Sequence, residues 1–439
     1  MFPFADITPL LAETLATVFT ETDLSNLFLL VVAIVALQYY RIGKAKERFF
    51  GLKPKGIWRD VLISVVLGLL GGILASYLMI FVGLSLSGSG LIYLWPLAIL
   101  LMLIDVRFMC FAYAGGILAL SSLLFGWPDI RVPQILGLVA ILHMVEAFLI
   151  LVSGHLGAVP TYFKNSEGKV VGGFALQKFW PIPMAALVVV GHTNGPSGLI
   201  SMSDWLELVR QGKSSFNTQD ILFIVPGDWW PLLRENLGKF EHIIYSLMPV
   251  IAGLGYGDLA AARTPVQKGR VSSAILGLYS LALLALAVLA DRTPVIGFAA
   301  ALFAPLGHEL VIYLGKRMEL SNPIYQASPQ GVKVLDVIPG YPAWQAGIRS
   351  GDIIVEVNGM SVNSRQGLEF ALGVYQGLQI TYYSQREKLL IREGVEFLDK
   401  QMLGLLPVPE GNEGNYMELS TQGPISRWLN RLCKRLKGV

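Results

Sequence analysis

The sequence predicts a polytopic α-helical membrane domain of about 8–9 spans, then a small α+β domain and a C-terminal amphipathic helix. Three observations lead to this fold class. Of the 439 residues, 54% are hydrophobic and only 15% are charged, whereas soluble proteins carry about 25% charged residues. Apolar runs close to the length of a bilayer-spanning helix repeat through residues 1–315. After Lys316 these runs give way to short β-branched segments separated by turn residues.

The membrane domain, assigned to residues 1–315, contains nine candidate spans. They are 24–40, 61–84, 91–104, 108–127, 134–152, 181–192, 240–256, 271–290 and 295–314. Segment 181–192 is short and holds two prolines, so a broken or re-entrant element is an alternative there. Cys110 and Cys433 are not expected to form a disulfide. The net charge of +3 is too small to indicate a nucleic-acid partner.

The distribution of basic residues predicts the orientation of the membrane domain. Residues 41–59 hold seven Lys and Arg side chains, whereas the next turn, 85–90, holds none. Short basic loops stay on the cytoplasmic side, so the N-terminus is expected outside and the first loop inside. Alternation across the nine segments then places Arg263, Lys316 and the C-terminal domain in the cytoplasm.

Four ionisable residues, His143, Glu146, His308 and Glu309, fall inside predicted spans. Ionisable groups are costly within a bilayer and often mark functional sites. Our main interpretation is packing, in which these groups pair with one another or with a further helix. Ion handling and catalysis are the alternatives.

Two short motifs raise the alternative of an intramembrane protease. The HELVI stretch at 308–312 resembles the metal-binding HExxH helix, which needs two histidines one turn apart. Its fifth position is Ile312, so one ligand is missing. Residues 195–198, with Ser197, match a GxSG pattern, but a chain with 46 glycines produces such matches readily. We therefore expect no enzyme, no catalytic residue, no metal and no cofactor.

Residues 322–400 are predicted to form the small α+β domain. Val332–Val337 and Ile353–Val357 are β-branched runs typical of strands. The segment 342–347 fits a one-turn helix, and a helix is expected over about 364–375. The later stretches LQITYYS and KLLIREG are again typical of strands.

This order of elements resembles a PDZ domain of the bacterial type. The matching residues are Gly331-Val332, Pro339-Gly340, Pro342-Ala343, Ala346-Gly347-Ile348, Gly351-Asp352-Ile353-Ile354 and Val357-Asn358-Gly359. The resemblance implies that an extended peptide adds as a strand between residues 331–337 and the helix 364–375. It also implies that a terminal carboxylate binds in the loop 328–332.

Six residues are the candidate peptide-binding set on this basis: Gln330, Gly331, Val332, Val334, Leu368 and Leu372. Gly331 would allow the backbone to approach the ligand closely. Gln330 departs from the commonest loop pattern, in which a large apolar residue stands at that position. For Val334, a place in the domain core is the main alternative.

The whole chain resembles the MinJ-type division-topology family of Gram-positive bacteria. The resemblance rests on the architecture, on GLGYGDLA at 253–260 and on FAPLGHELVIY at 303–313. It implies a scaffold in the bacterial cell membrane whose PDZ domain positions partner proteins, with other division-topology proteins as the partners. A PDZ-containing intramembrane protease and a transporter-like protein are the alternatives, although no internal repeat is visible.

The last segment, 424–439, is predicted to be a basic amphipathic helix. Its apolar positions recur at helical spacing: Ile425, Trp428, Leu429, Leu432 and Leu436. Basic residues occupy much of the remaining surface, which suits a membrane rich in anionic lipid. A helix that packs on the PDZ domain and a disordered basic end are the alternatives.

Overall fold

The structure is a computed structural model, and it describes most of both domains. The described residues are 4–50, 56–165, 167–193, 198–200, 223–225, 232–233, 242–320, 322–373, 377–396, 403–411, 413 and 416. The predictions made for Ser197 and for the tail helix 424–439 fall outside these residues and stay predictions.

Helices make up most of the N-terminal domain. In the described residues they are α1 Phe4–Thr20, α2 Thr22–Phe50, α3 Ile57–Val82, α4 Leu91–Ile104, α5 Phe111–Phe125, α6 Val132–Ser153, α7 Pro265–Ala290 and α8 Pro294–Leu320. Five of them, α2, α3, α6, α7 and α8, are long and apolar enough to cross a membrane, whereas α1, α4 and α5 are shorter apolar helices. A helical membrane domain is confirmed, but helix length does not establish the predicted count of 8–9 spans.

Two predicted spans, 181–192 and 240–256, are strands and not helices. They belong to β2 Val170–Thr193 and β5 His242–Ala260, which pair antiparallel along almost their whole length. Both segments are mostly apolar without alternating polar positions, and such runs do not distinguish a buried strand from a buried helix. The prolines Pro181 and Pro183 disfavour a helix because each removes a backbone donor.

Helix α3 covers the part of β2 whose second edge is not paired with β1. A Cβ on Gly68 or Gly72 would collide with the carbonyl oxygens of Pro181 and Pro183. One turn further, the Ser76 hydroxyl accepts the Ala185 N–H at 2.8 Å. Small residues four apart therefore let the helix lie directly on the strand, and Ser76 satisfies a backbone donor that lipid could not.

The paired strands β2 and β5 form a long hairpin, and two short strands, β3 Gly198–Ile200 and β4 Phe223–Val225, lie between them in the sequence. This hairpin belongs to a five-stranded sheet with the order β1-β2-β5-β4-β3, where β1 is Val159–Lys164. Because two predicted spans are strands, the predicted number of membrane crossings before Arg263 falls by two, which is an even number. The predicted cytoplasmic side for Arg263 and everything after it is therefore unchanged, and the charge rule is still obeyed.

The C-terminal domain is a second sheet with two short helices. Its elements are β6 Val332–Val337, α9 Pro342–Gln345, β7 Ile353–Val357, β8 Met360–Ser361, α10 Arg365–Gly373, β9 Gly377–Ser384, β10 Leu389–Glu396 and β11 Leu405–Pro407. The strand order is β10-β9-β7-β6-β11, with β8 paired to β7. Strand β11 lies beyond the predicted domain end at residue 400, so the domain extends at least to Pro407.

The two domains touch through β1, β2 and the connector after α8. The Gly172 N–H donates to the Tyr325 carbonyl at 2.9 Å, and the rings of Phe174 and Tyr325 lie 5.3 Å apart. The Tyr162 hydroxyl donates to the Pro407 carbonyl at 3.0 Å. Burial raises the pKa of Tyr162 to about 12, so this hydroxyl keeps its proton at neutral pH.

Candidate functional site

The predicted groove strand, β6, lies inside the sheet, with a strand on each side. Val332 pairs with Ile354 of β7, and Val337 pairs with Leu405 of β11. A peptide cannot add to a strand whose two edges are both occupied. The predicted position of the peptide, directly against residues 331–337, does not agree with this sheet, because β11 at Leu405–Pro407 takes that place.

The predicted loop residues have structural roles that account for their identity. Val332 and Val334 are buried in the domain core. A Cβ on Gly331 would collide with the Ile354 carbonyl, so glycine is needed for packing against β7. Gln330 is exposed, and its N–H donates to the Ser328 hydroxyl at 3.2 Å in the turn before β6.

The two leucines predicted on the groove helix α10 differ in exposure. Leu368 is 4% exposed and belongs to the core. Leu372 is half-buried and packs at the margin of the same core, as does Leu405 of β11. The Arg365 N–H at the start of α10 also donates to the Glu410 carboxylate at 2.6 Å. Strand β11, together with α10, therefore bounds the surface at which a peptide can bind.

The outer edge of β11 presents backbone groups to this surface. The Ile338 N–H donates to the Gly404 carbonyl at 2.8 Å, which makes these two residues a hydrogen-bonded pair. The next pair, Leu405 with Val337, is then a non-hydrogen-bonded pair, in which both residues turn their backbone groups away from the partner strand. The Leu405 N–H and carbonyl consequently point outward from the sheet.

Gly404, immediately before β11, has the left-handed conformation with φ of 73°. Its position is also crowded, because a Cβ there would collide with the Tyr341 side chain. The preceding Leu403 carbonyl accepts the Ala343 N–H at 3.1 Å, which fixes the loop against α9. A left-handed residue beside an outward N–H is the kind of backbone concavity that binds carboxylates. Sequence reasoning missed this loop, although Leu403-Gly404-Leu405 is visible as a glycine between apolar residues.

A cluster of polar side chains lies within the helical domain. His143 of α6 and His308 of α8 both face Cys110, which immediately precedes α5. The Cys110 Sγ lies 3.1 Å from the His143 Nε2 and 3.5 Å from the His308 Nε2. The two imidazole centroids are 5.2 Å apart. The predicted His143 and His308 are therefore brought together, and the missed member of the group is Cys110.

Glu309 turns away from this cluster and binds two other side chains. Its Oε1 accepts from the Arg107 guanidinium at 2.7 Å, and its Oε2 accepts from the Tyr113 hydroxyl at 2.7 Å. Both carboxylate oxygens are thus engaged, which does not suit a catalytic base next to a metal-bound water. Glu146 lies one helical turn after His143 on the same helix and is half-buried.

Comparisons with known proteins bear on both domains. A family model described as PDZ domain matches residues 333–372. Over 361 residues the chain is 26% identical to a protein of Bacillus subtilis (strain 168) named cell division topological determinant MinJ. The match covers 76% of this chain and 79% of that relative.

Proposed function

Because the chain is similar to a MinJ protein over most of its length and a PDZ model matches residues 333–372, we propose that it is an adaptor that holds partner proteins at the membrane during placement of the division site. The observation that carries this proposal is the edge of β11 beside α10, with which no strand pairs among the described residues, in a domain that a PDZ model matches. An exposed strand edge next to a helix binds extended peptides by adding a strand.

The groove we propose lies at β11, whereas the predicted groove lies at β6, the neighbouring strand in the sheet. A peptide would pair with the Leu405 backbone and place an apolar side chain against Leu372. Its terminal carboxylate would lie at the N–H groups around Gly404. At the opposite end of β11, Tyr162 already occupies the outward carbonyl of Pro407. The pairing edge is therefore short, and it suits the last few residues of a partner chain.

Attachment to the membrane domain supports an adaptor role in two ways. The connector is short, and buried Glu319 at the end of α8 accepts the Ala261 N–H at 2.9 Å and binds the Arg263 guanidinium at 2.8 Å. The groove is thus held near the bilayer surface, which raises the effective concentration of partners that are themselves at the membrane. The basic segment 424–439 would add a contact with anionic lipid.

We propose no enzymatic activity. The protease alternative needs a second histidine at position 312, where Ile312 stands, and Glu309 is bound to Arg107 and Tyr113. The relative is described as a topological determinant, which is a positioning role.

Reporter fusions test whether the PDZ domain is on the side where division proteins assemble. Reporters placed after Arg59, Gly90, Gly269 and Val439 should read inside, outside, inside and inside. The reason is the basic first loop together with the even number of crossings removed by the hairpin. Gly90 serves as the internal control for an outward reading. An outward reading after Val439 would contradict an adaptor that acts in the cytoplasm.

A further inference from the structure

Three side chains from distant parts of the sequence converge in the helical domain with their ligand atoms within 4.8 Å of one another: Cys110, His143 and His308. His143 is 3% exposed, and the other two are half-buried. A metal with four ligands at about 2.0–2.3 Å holds those ligand atoms about 3.3–3.7 Å apart. The Cys110 Sγ lies 3.1 Å from the His143 Nε2 and 3.5 Å from the His308 Nε2, close to that spacing.

We propose that Cys110, His143 and His308 bind one zinc ion within the helical domain. One thiolate and two imidazoles form a donor set that suits zinc and excludes hard cations such as magnesium and calcium. The sequence gives no spacing motif for this site because its ligands come from three separate helical segments.

The orientation of His143 supports this assignment. Its Nδ1 lies 2.7 Å from the Val139 carbonyl, one turn earlier on α6. The proton must therefore be on Nδ1 for a hydrogen bond to form, which leaves the lone pair of Nε2 directed at Cys110. Metal-binding histidines commonly donate their second ring nitrogen to a backbone carbonyl in this way.

Hydrogen bonding alone explains the cluster poorly. A thiol is a weak donor and a weak acceptor, yet two imidazoles are directed at the same sulfur. Polar groups in an apolar bundle normally find strong partners, and a zinc ion would supply one to the Cys110 sulfur and to the Nε2 atoms of both histidines.

Charge and packing around the site are also compatible with a divalent ion. The ring of Tyr279 packs edge-on against both imidazoles, at centroid distances of 5.6 Å and 5.8 Å. A zinc ion with one thiolate keeps one positive charge, which the carboxylate of Glu146, one turn after His143, can balance. Glu309 is bound to Arg107 and Tyr113, so its carboxylate is not free to act as a base beside the ion.

Such an ion would join the start of α5, the middle of α6 and the middle of α8. Helix α8 leads directly into the connector and the PDZ domain. The zinc ion would thus fix the helix that carries the peptide groove, which goes beyond the adaptor function itself and would stand even if no peptide bound.

Metal analysis of the full-length chain, purified in detergent without chelators, tests the proposal. The wild type should hold about one zinc per chain, and Cys110→Ser or His143→Ala should lower that content roughly tenfold or more. Matched controls are Cys433→Ser and His155→Ala, which remove the same residue types elsewhere and should retain the metal. Gel filtration first shows whether the variants and the wild type are equally monodisperse. Zinc content is then compared between samples that are.

Cobalt substitution supplies a second readout that does not depend on the variants folding well. The wild type should bind cobalt with a thiolate-to-cobalt charge-transfer band, because Cys110 is a ligand. A wild type that takes up no zinc or cobalt, or a Cys110→Ser variant with unchanged zinc, would overturn the proposal. Stoichiometric copper in place of zinc would overturn the choice of metal.

Discussion

Replacing Leu372 with arginine should weaken peptide binding by roughly ten- to hundredfold while the domain stays folded. Leu372 is half-buried at the margin of the core beside β11, and losing a buried leucine contact costs about 1.5–3 kcal/mol. The arginine head can reach solvent from this position, so the fold should tolerate it. The same change at Leu368, which is 4% exposed, would instead place a charge in the core. The measurement is fluorescence anisotropy with a labelled peptide and the full-length chain.

The matched control is Phe370→Arg. Phe370 is on the same helix but is 64% exposed, so the control adds the same charge without entering the groove. Equal affinities for the wild type and both variants would show that the surface between α10 and β11 does not bind the peptide.

The variant Gly72→Ala should destabilise the membrane domain strongly. Its Cβ would collide with the Pro183 carbonyl, and a backbone atom in a paired strand cannot move aside as a side chain can. Inserting atoms into a close-packed interior costs about 1–3 kcal/mol and sometimes more, so we expect about 3 kcal/mol here. Thermal unfolding in detergent, followed by fluorescence-detected gel filtration, measures the loss.

Gly71→Ala is the neighbouring control. There the new Cβ would lie 3.1 Å from a terminal methyl carbon of Leu149, which can rotate away. We expect a clearly smaller change in the unfolding temperature. If both variants unfold at the wild-type temperature, α3 does not lie on the edge of β2 as described.

The sequence predicts much of this fold because strong local patterns specify it. Seven of the nine apolar segments are helices, as their length and composition indicate. Residues at fixed spacing, such as Gly351-Asp352 and Val357-Asn358-Gly359, predict the PDZ domain, which a family model matches. The predicted MinJ-type resemblance is supported by the 26% identity to the MinJ relative.

The hairpin could not be predicted in the same way, because an apolar run carries no period that separates strand from helix. The signals that disfavour a helix in β2 are Pro181 and Pro183, whereas β5 holds only Pro249. The long-range contact that decides the structure, Gly72 against the Pro183 carbonyl, joins residues more than a hundred positions apart.

The two candidate sites could not be predicted in full either, because each depends on contacts between residues that are far apart in the sequence. The edge strand β11 is only three residues long, and the residues before it show no recognisable PDZ pattern. The sequence therefore predicts the groove at β6, its neighbour in the sheet. The predicted His143 and His308 do lie together, but Cys110 joins them only through the packing of α5, α6 and α8. No spacing in the sequence indicates such a group.

Peptide binding at the edge of β11 is tested most directly by removing one backbone donor. Leu405→Pro deletes the outward N–H, and an edge strand tolerates proline where the N–H does not pair within the sheet. Leu405→Ala shortens the side chain but keeps this donor. Full-length chains in detergent are titrated with peptides that have free C-termini, and the unfolding temperature is checked for each variant.

The proposed function predicts that the wild type binds such peptides and that Leu405→Ala retains most of that binding. It also predicts that Leu405→Pro loses about tenfold or more, since a hydrogen bond to a charged group contributes about 1.5–3 kcal/mol. A folded Leu405→Pro chain that binds as tightly as the wild type would contradict strand addition at β11, and a wild type that binds no peptide would contradict the adaptor role.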